Sequence, residues 1–116
     1  MLLEPAEIAH NAVNAALDKQ ASDIVLLDIR KTSGFASYFV ICNAESKRQM
    51  DAVGEEVDQQ LTLQGARLFH REGDNESGWL LLDFGAVIVH IFAPEQREFY
   101  QLDKLWSEAP VVVKIQ

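Results

Sequence analysis

Apolar residues along this chain switch between helical and strand spacing in well-separated blocks. Ile8, Ala9, Ala12, Val13, Ala16 and Leu17 recur at helical spacing, so Pro5 to Gln20 is predicted to be a helix. Pro5 and Glu7 suit its first turn, through a preset φ and a favourable charge at the positive end of the dipole. Asp23 to Arg30 reads as a strand around Ile24-Val-Leu-Leu27, and Thr32-Ser-Gly34 as a loop. Ser37 to Cys42 is a second strand, rich in aromatic and β-branched residues. Ser46 and Gln49 have the spacing of a capping box, after which Met50, Val53, Val57 and Leu61 form a helical stripe. Gly65 stands where a left-handed helix cap is expected.

The second half is predicted to be richer in strand. Arg67 to Arg71 is read as a strand, Glu72 to Gly78 as a polar turn, and Trp79 to Phe84 and Ala86 to Phe92 as two strands around Gly85. Pro94 opens a helix running to Trp106, with a break near Gln101. Val111 to Ile115 has strand composition but no evident partner. The order α-β-β-α-β-β-β-α mixes hairpin-length connections with one crossover helix. It predicts an α/β (α+β) fold: a single mixed β-sheet of about five strands with packed helices, in one domain spanning residues 1–116.

Composition narrows the partners. With 48% hydrophobic and 24% charged residues the chain is expected to bury a globular core. The formal charge of −8 argues against direct, specific binding to nucleic acid, which needs cations to displace counterions, and it suits a basic protein. Met1 to Ala9 holds no basic residue, so no secretory leader is expected. No apolar run approaches the roughly 18 residues of a membrane span, so a membrane partner is not expected either. Cys42, the lone cysteine, fits a small buried side chain in a reducing cytosol.

The usual marks of catalysis are missing. The six glycines form neither a dinucleotide fingerprint nor a phosphate loop. His10, His70 and His90 do not combine with Cys42 at zinc spacing. Two-metal phosphoryl transfer needs two acids on one strand face, two residues apart. Asp28 is followed two places on by Arg30, Asp83 by Gly85, and Asp23 and Asp28 point to opposite faces of a regular strand. No catalytic residue, metal or cofactor is therefore expected.

The hairpin around Gly85 carries the one unusual face. If Phe84-Gly85 is the turn, Asp83 pairs with Ala86, Leu81 with Ile88 and Trp79 with His90. Leu80, Leu82, Val87, Val89 and Ile91 then share an aliphatic face, which belongs in the core at about 25 cal/mol per Å² of apolar area buried. The other face mixes Trp79, Leu81, Asp83, Ile88, His90 and Phe92. Two readings stand: a recognition surface with an aromatic anchor, or a second covered face with Trp79 in the core.

Several blocks in collinear order resemble the Iojap family of ribosomal silencing factors. These are Ala21-Ser-Asp-Ile-Val-Leu-Leu-Asp-Ile29, Ser37-Tyr-Phe-Val-Ile41, Ser46-Lys-Arg-Gln49, Gly78-Trp-Leu-Leu-Leu-Asp-Phe-Gly85, Val89-His-Ile-Phe92 and Arg97 to Trp106. The resemblance implies a nucleotidyltransferase-like fold without catalytic acids, hence a protein that is not an enzyme. It implies a cytoplasmic factor that binds the large ribosomal subunit through large-subunit ribosomal protein fourteen. There it would block joining of the subunits and repress translation under nutrient limitation. A role in large-subunit assembly, or a degenerate nucleotide-binding site, is the alternative, and a homodimer of the free protein is left open. The implied contact residues are Trp79, Leu81, Asp83, His90, Tyr100 and Lys104. Ala86 stands where the family usually has an acid, Phe84 where tyrosine is common, and Asn43-Ala-Glu45 where a glycine turn is frequent.

Overall fold

The computed structural model describes residues 4–116; the leader expectation rests in part on residues 1–3, which lie outside it. The elements run α1 (Pro5–Asp18), β1 (Ser22–Asp28), β2 (Tyr38–Asn43), α2 (Lys47–Leu63), β3 (His70–Asp74), β4 (Trp79–Asp83), β5 (Val87–Phe92), α3 (Pro94–Tyr100), α4 (Leu102–Leu105) and β6 (Val111–Ile115). All six strands form one sheet in the order β3-β4-β5-β2-β1-β6. Only β2 and β5 pair in parallel, bridged by the crossover through α2. The mixed α+β architecture is as expected, with one strand more than the predicted five. The valine-rich tail finds its partner in β1, where Ile24 lies opposite Ile115.

The caps show why α2 begins and ends where it does. Ser46 Oγ accepts from the Gln49 amide at 3.0 Å. Gln49 Oε1 accepts from the amide of Glu45 at 2.6 Å, one residue before the position an ideal capping box would use. Its Nε2 then donates to the carbonyls of Lys19 and Gln20, so one side chain starts α2 and holds the end of α1. At the far end Gly65 adopts φ +99°, and the Ala66 amide reaches back to the Leu61 carbonyl at 2.9 Å. Those unpaired carbonyls are satisfied as the glycine predicted.

Both helices lie on one face of the sheet. Val13, Ala16, Met50, Val53, Val57 and Leu61 pack against Ile24, Leu26, Val40, Cys42, Leu80, Leu82, Val89 and Ile91. Gly54 lets α2 come close, since a Cβ there would press on the side chain of buried Leu80. Cys42 is fully buried, and desolvation pushes its thiol up to about 12, far from a reactive thiolate.

The β4–β5 hairpin differs from its predicted register. Phe84 N donates to Val87 O, so the turn residues are Gly85 and Ala86, with Gly85 at φ +84° in the first central position. Trp79 accordingly lies opposite Phe92, Leu81 opposite His90 and Asp83 opposite Ile88. The shift is two residues along the partner strand. An even shift changes neighbours and leaves every side chain on its predicted face.

Candidate functional site: the half-covered sheet face

The second face of the sheet is covered over only part of its width. Leu102, Trp106 and Ala109 pack on Val25, Leu27, Phe39 and Ile41 from β1 and β2. Toward the β3–β4 end Trp79, Leu81 and Asp83 are only half-buried, with Tyr100 at the end of α3 against Trp79. Cross-strand pairing adds His70, Glu72 and Asp74 from β3 to the same face, all exposed.

Arg97 ties the covering segment to the sheet. Gln101 adopts a left-handed conformation, φ +48° and ψ +48°, which breaks α3 from α4. Arg97 spans the break with two hydrogen bonds to Asp103, both 2.9 Å. Its remaining guanidinium nitrogen donates to the Asp23 carbonyl at 2.9 Å and to buried Asn43 Oδ1 at 2.8 Å. Arg97→Ala should lower stability by about 2 kcal/mol, because it strands Asn43 and frees the segment over the sheet. A lower urea midpoint at unchanged slope would show this. Arg97→Lys should recover less than half, since an ammonium cannot reproduce the planar fork.

Of the sequence-predicted residues, the structure brings Trp79, Leu81, His90 and Tyr100 together. The Trp79 ring lies 4.8 Å from Phe92 and 4.6 Å from Tyr100, centroid to centroid. Tyr100 itself is 45% exposed. Asp83 borders the cluster, with one carboxylate oxygen accepting from Gly85 N at 2.7 Å. Lys104 is exposed on α4 and is not among the residues enclosing the cavity beside Trp79.

His90 departs from expectation: at 4% exposure it lies beneath the surface and cannot touch a partner directly. The strand pattern set its face correctly, but Leu81, Trp79 and Phe39 close over it. Trp79 Nε1 donates to His90 Nδ1 at 3.2 Å. An indole N–H can only donate, so Nδ1 is the acceptor and the proton of neutral His90 sits on Nε2. That Nε2 is buried with no hydrogen-bond partner. Desolvation drives the His90 pKa down to about 4, against a weaker opposing pull from Asp103. A neutral imidazole thus fixes the indole of Trp79 from below.

Sequence reasoning missed Glu72 and Asp74, because β3 starts three residues later than predicted. His70-Arg-Glu-Gly-Asp74 lacks apolar alternation, and only its pairing with β4 makes it a strand. Gly73, at φ +80°, lies so close to the Trp79 carbonyl that a Cβ would collide with it. Glu72, Gly73, Ser77, Trp79, Leu81 and Tyr100 enclose an open cavity of about 240 Å³. Among the described residues, no three His, Cys, Asp or Glu side chains converge as a metal site would require. No described helix is long and apolar enough to cross a membrane.

Comparison with known proteins places this architecture. The sequence profile described as RsfS, "ribosomal silencing factor during starvation", matches residues 3–116. The chain is 38% identical to the ribosomal silencing factor RsfS of Halalkalibacterium halodurans, over 91% of each sequence. It is 40% identical to that of Bacillus subtilis, over 86% of this chain and 85% of the relative. Similarity extends to the chloroplastic protein Iojap of Zea mays, 35% identical over 91% of this chain and 46% of the plant protein. A crystal structure of a Chromobacterium violaceum protein superposes with a TM-score of 0.87 at 30% identity, covering 90% of this chain and 88% of that one. The profile match over nearly the whole chain and the identity to relatives of similar length agree: the chain belongs to the ribosomal silencing factor family.

Proposed function

We propose that the protein binds the large ribosomal subunit in the cytoplasm, through large-subunit ribosomal protein fourteen, and sterically blocks joining of the small subunit. Translation is thereby repressed when nutrients are scarce, and no reaction is catalysed. The names of the relatives support the ribosomal role. The observation that carries the mechanism is the half-covered end of the sheet. Trp79, Leu81 and Tyr100 offer a rigid apolar centre, and Glu72, Asp74 and Asp83 give it an acidic border. An aromatic anchor ringed by polar groups is how a protein-binding hot spot is built. The acidic border matches a basic protein and repels the phosphates of bare RNA. A body of 35 × 32 × 24 Å seated on a joining face is large enough to exclude a second surface by bulk alone.

Sedimentation of purified subunits tests this reading. The protein should travel with the free large subunit and reduce the joined particle when small subunits are added. Association should slow as salt rises, because the steering range shrinks with the Debye length. Migration with the small subunit, or unchanged joining at large excess, would overturn it.

A further inference from the structure

We propose that the cavity beside Trp79 is a subsite for one arginine side chain of the protein partner. At about 240 Å³ it is smaller than the roughly 300–1,000 Å³ of sites for drug-sized ligands, and it is open to solvent, as a side-chain subsite must be. Trp79 and Tyr100 form an aromatic corner, their planes at 49°, and Leu81 adds an aliphatic wall for the methylenes of a long side chain. Glu72 supplies the charge. Its Oε1 is engaged by His70 Nε2 at 2.8 Å, which leaves Oε2 for an incoming donor. Ser77 Oγ is already tied to the carbonyls of Asp74 and Trp79.

Charge complementarity selects the occupant. No lysine or arginine lines the cavity, so an anion would meet the Glu72 carboxylate, with Asp74 two residues on along β3 and His70 already engaged with Glu72. The one basic residue of β3 besides His70 is Arg71. It pairs with Leu82 and faces the helical side of the sheet. A neutral apolar side chain would desolvate Glu72 and leave its Oε2 without a partner. Of the two long cations, the guanidinium can stack on an aromatic plane while directing N–H groups at a carboxylate; an ammonium is a compact, strongly hydrated point charge. The inference rests on the docking reading for its partner and on the cavity alone for its chemistry.

The test uses the full chain and three small probes: N-acetylarginine amide, N-acetyllysine amide and the neutral isostere N-acetylcitrulline amide. The readout is the Trp79 indole N–H resonance, identified with Trp106→Phe. Arginine amide should shift it saturably. Lysine amide should bind at least about 3-fold more weakly, and citrulline amide should leave the resonance in place. Glu72→Gln, at an exposed position, should keep the fold and weaken arginine amide by about 5-fold, the upper range for an exposed charge pair. No saturable shift with arginine amide, an equal response to lysine or citrulline amide, or an unchanged response in Glu72→Gln would each overturn the subsite. Sedimentation with large subunits, run in parallel, separates the two claims. An arginine-selective cavity in a protein that ignores the subunit would sink the docking reading and leave the subsite standing. Subunit binding without arginine selectivity would do the reverse.

Discussion

Trp79→Ala should weaken binding to the large subunit by at least about 30-fold, the factor that corresponds to roughly 2 kcal/mol for a truncated aromatic anchor. The residue is half-buried, so the variant loses stability as well as affinity. Its ring packs on Phe92 and Tyr100, and its N–H caps His90 Nδ1. A fully buried tryptophan cut to alanine costs about 3–5 kcal/mol; this half-covered one should cost about 2–3. A domain with the usual margin of about 5–15 kcal/mol still folds. Far-ultraviolet circular dichroism should keep its shape while the melting temperature falls. Asp83→Lys is the complementary variant. Its position borders the cluster without packing in it, so binding should drop by charge reversal with a smaller change in melting temperature. If both variants retain full affinity, the contact surface lies elsewhere on the molecule, with the Arg97–Trp106 segment the next candidate.

His90 should make the protein lose stability on mild acidification. In the unfolded chain the imidazole titrates near 6.5; in the fold burial holds it near 4. Between those values the unfolded state binds more protons, so stability rises with pH across the window. The contribution is fully present above about pH 6.5 and is lost progressively down to about pH 4. At about 1.4 kcal/mol per pH unit the loss reaches about 3 kcal/mol. Asp28, which the Arg30 guanidinium holds below the ordinary carboxylate value of 3.8, loses its contribution mainly below that value and so adds only at the acid end of the window. Urea midpoints measured from pH 7.5 to 4.5 should fall steadily. In His90→Gln, which keeps an acceptor beneath the indole and removes the titrating group, the slope should flatten. An equally steep profile in that variant would assign the acid sensitivity to other groups.

Both effects meet at a place where the sequence was only half legible. Periodicity assigned Trp79, Leu81 and Asp83 to one face and Leu80 and Leu82 to the other, and the two-residue slip in the turn left that division intact. Periodicity says which way a side chain points but not what lies above it. That depended on where residues 94–110 fold back, and so on Arg97 reaching Asn43 and Asp23 across the chain. His90 therefore looked like surface and is interior, while Tyr100 stayed at the rim. The caps of α2 were readable because capping is local, down to Ser46, Gln49 and Gly65. The partner of β6 was not, because pairing between Ile24 and Ile115 leaves no trace in either segment. β3 was displaced for a related reason: its strand character comes from β4 and not from its own residues.

The strand order also governs how such a chain can come into being. β1 and β2 form a hairpin from the first half of the sequence, yet β5 flanks it on one side and β6 on the other. A nascent chain emerging amino end first carries this apolar hairpin with both edges unpaired until the second half is made. The second half brings its own run β3-β4-β5, but the central β2–β5 pairing and the β1–β6 pairing each join the two halves, which favours a single cooperative step. Until β5 and β6 arrive, Val40 and Leu26 depend on α1 and α2 alone for cover, and the interval between synthesis of the two halves is when the chain is most open to wrong pairing.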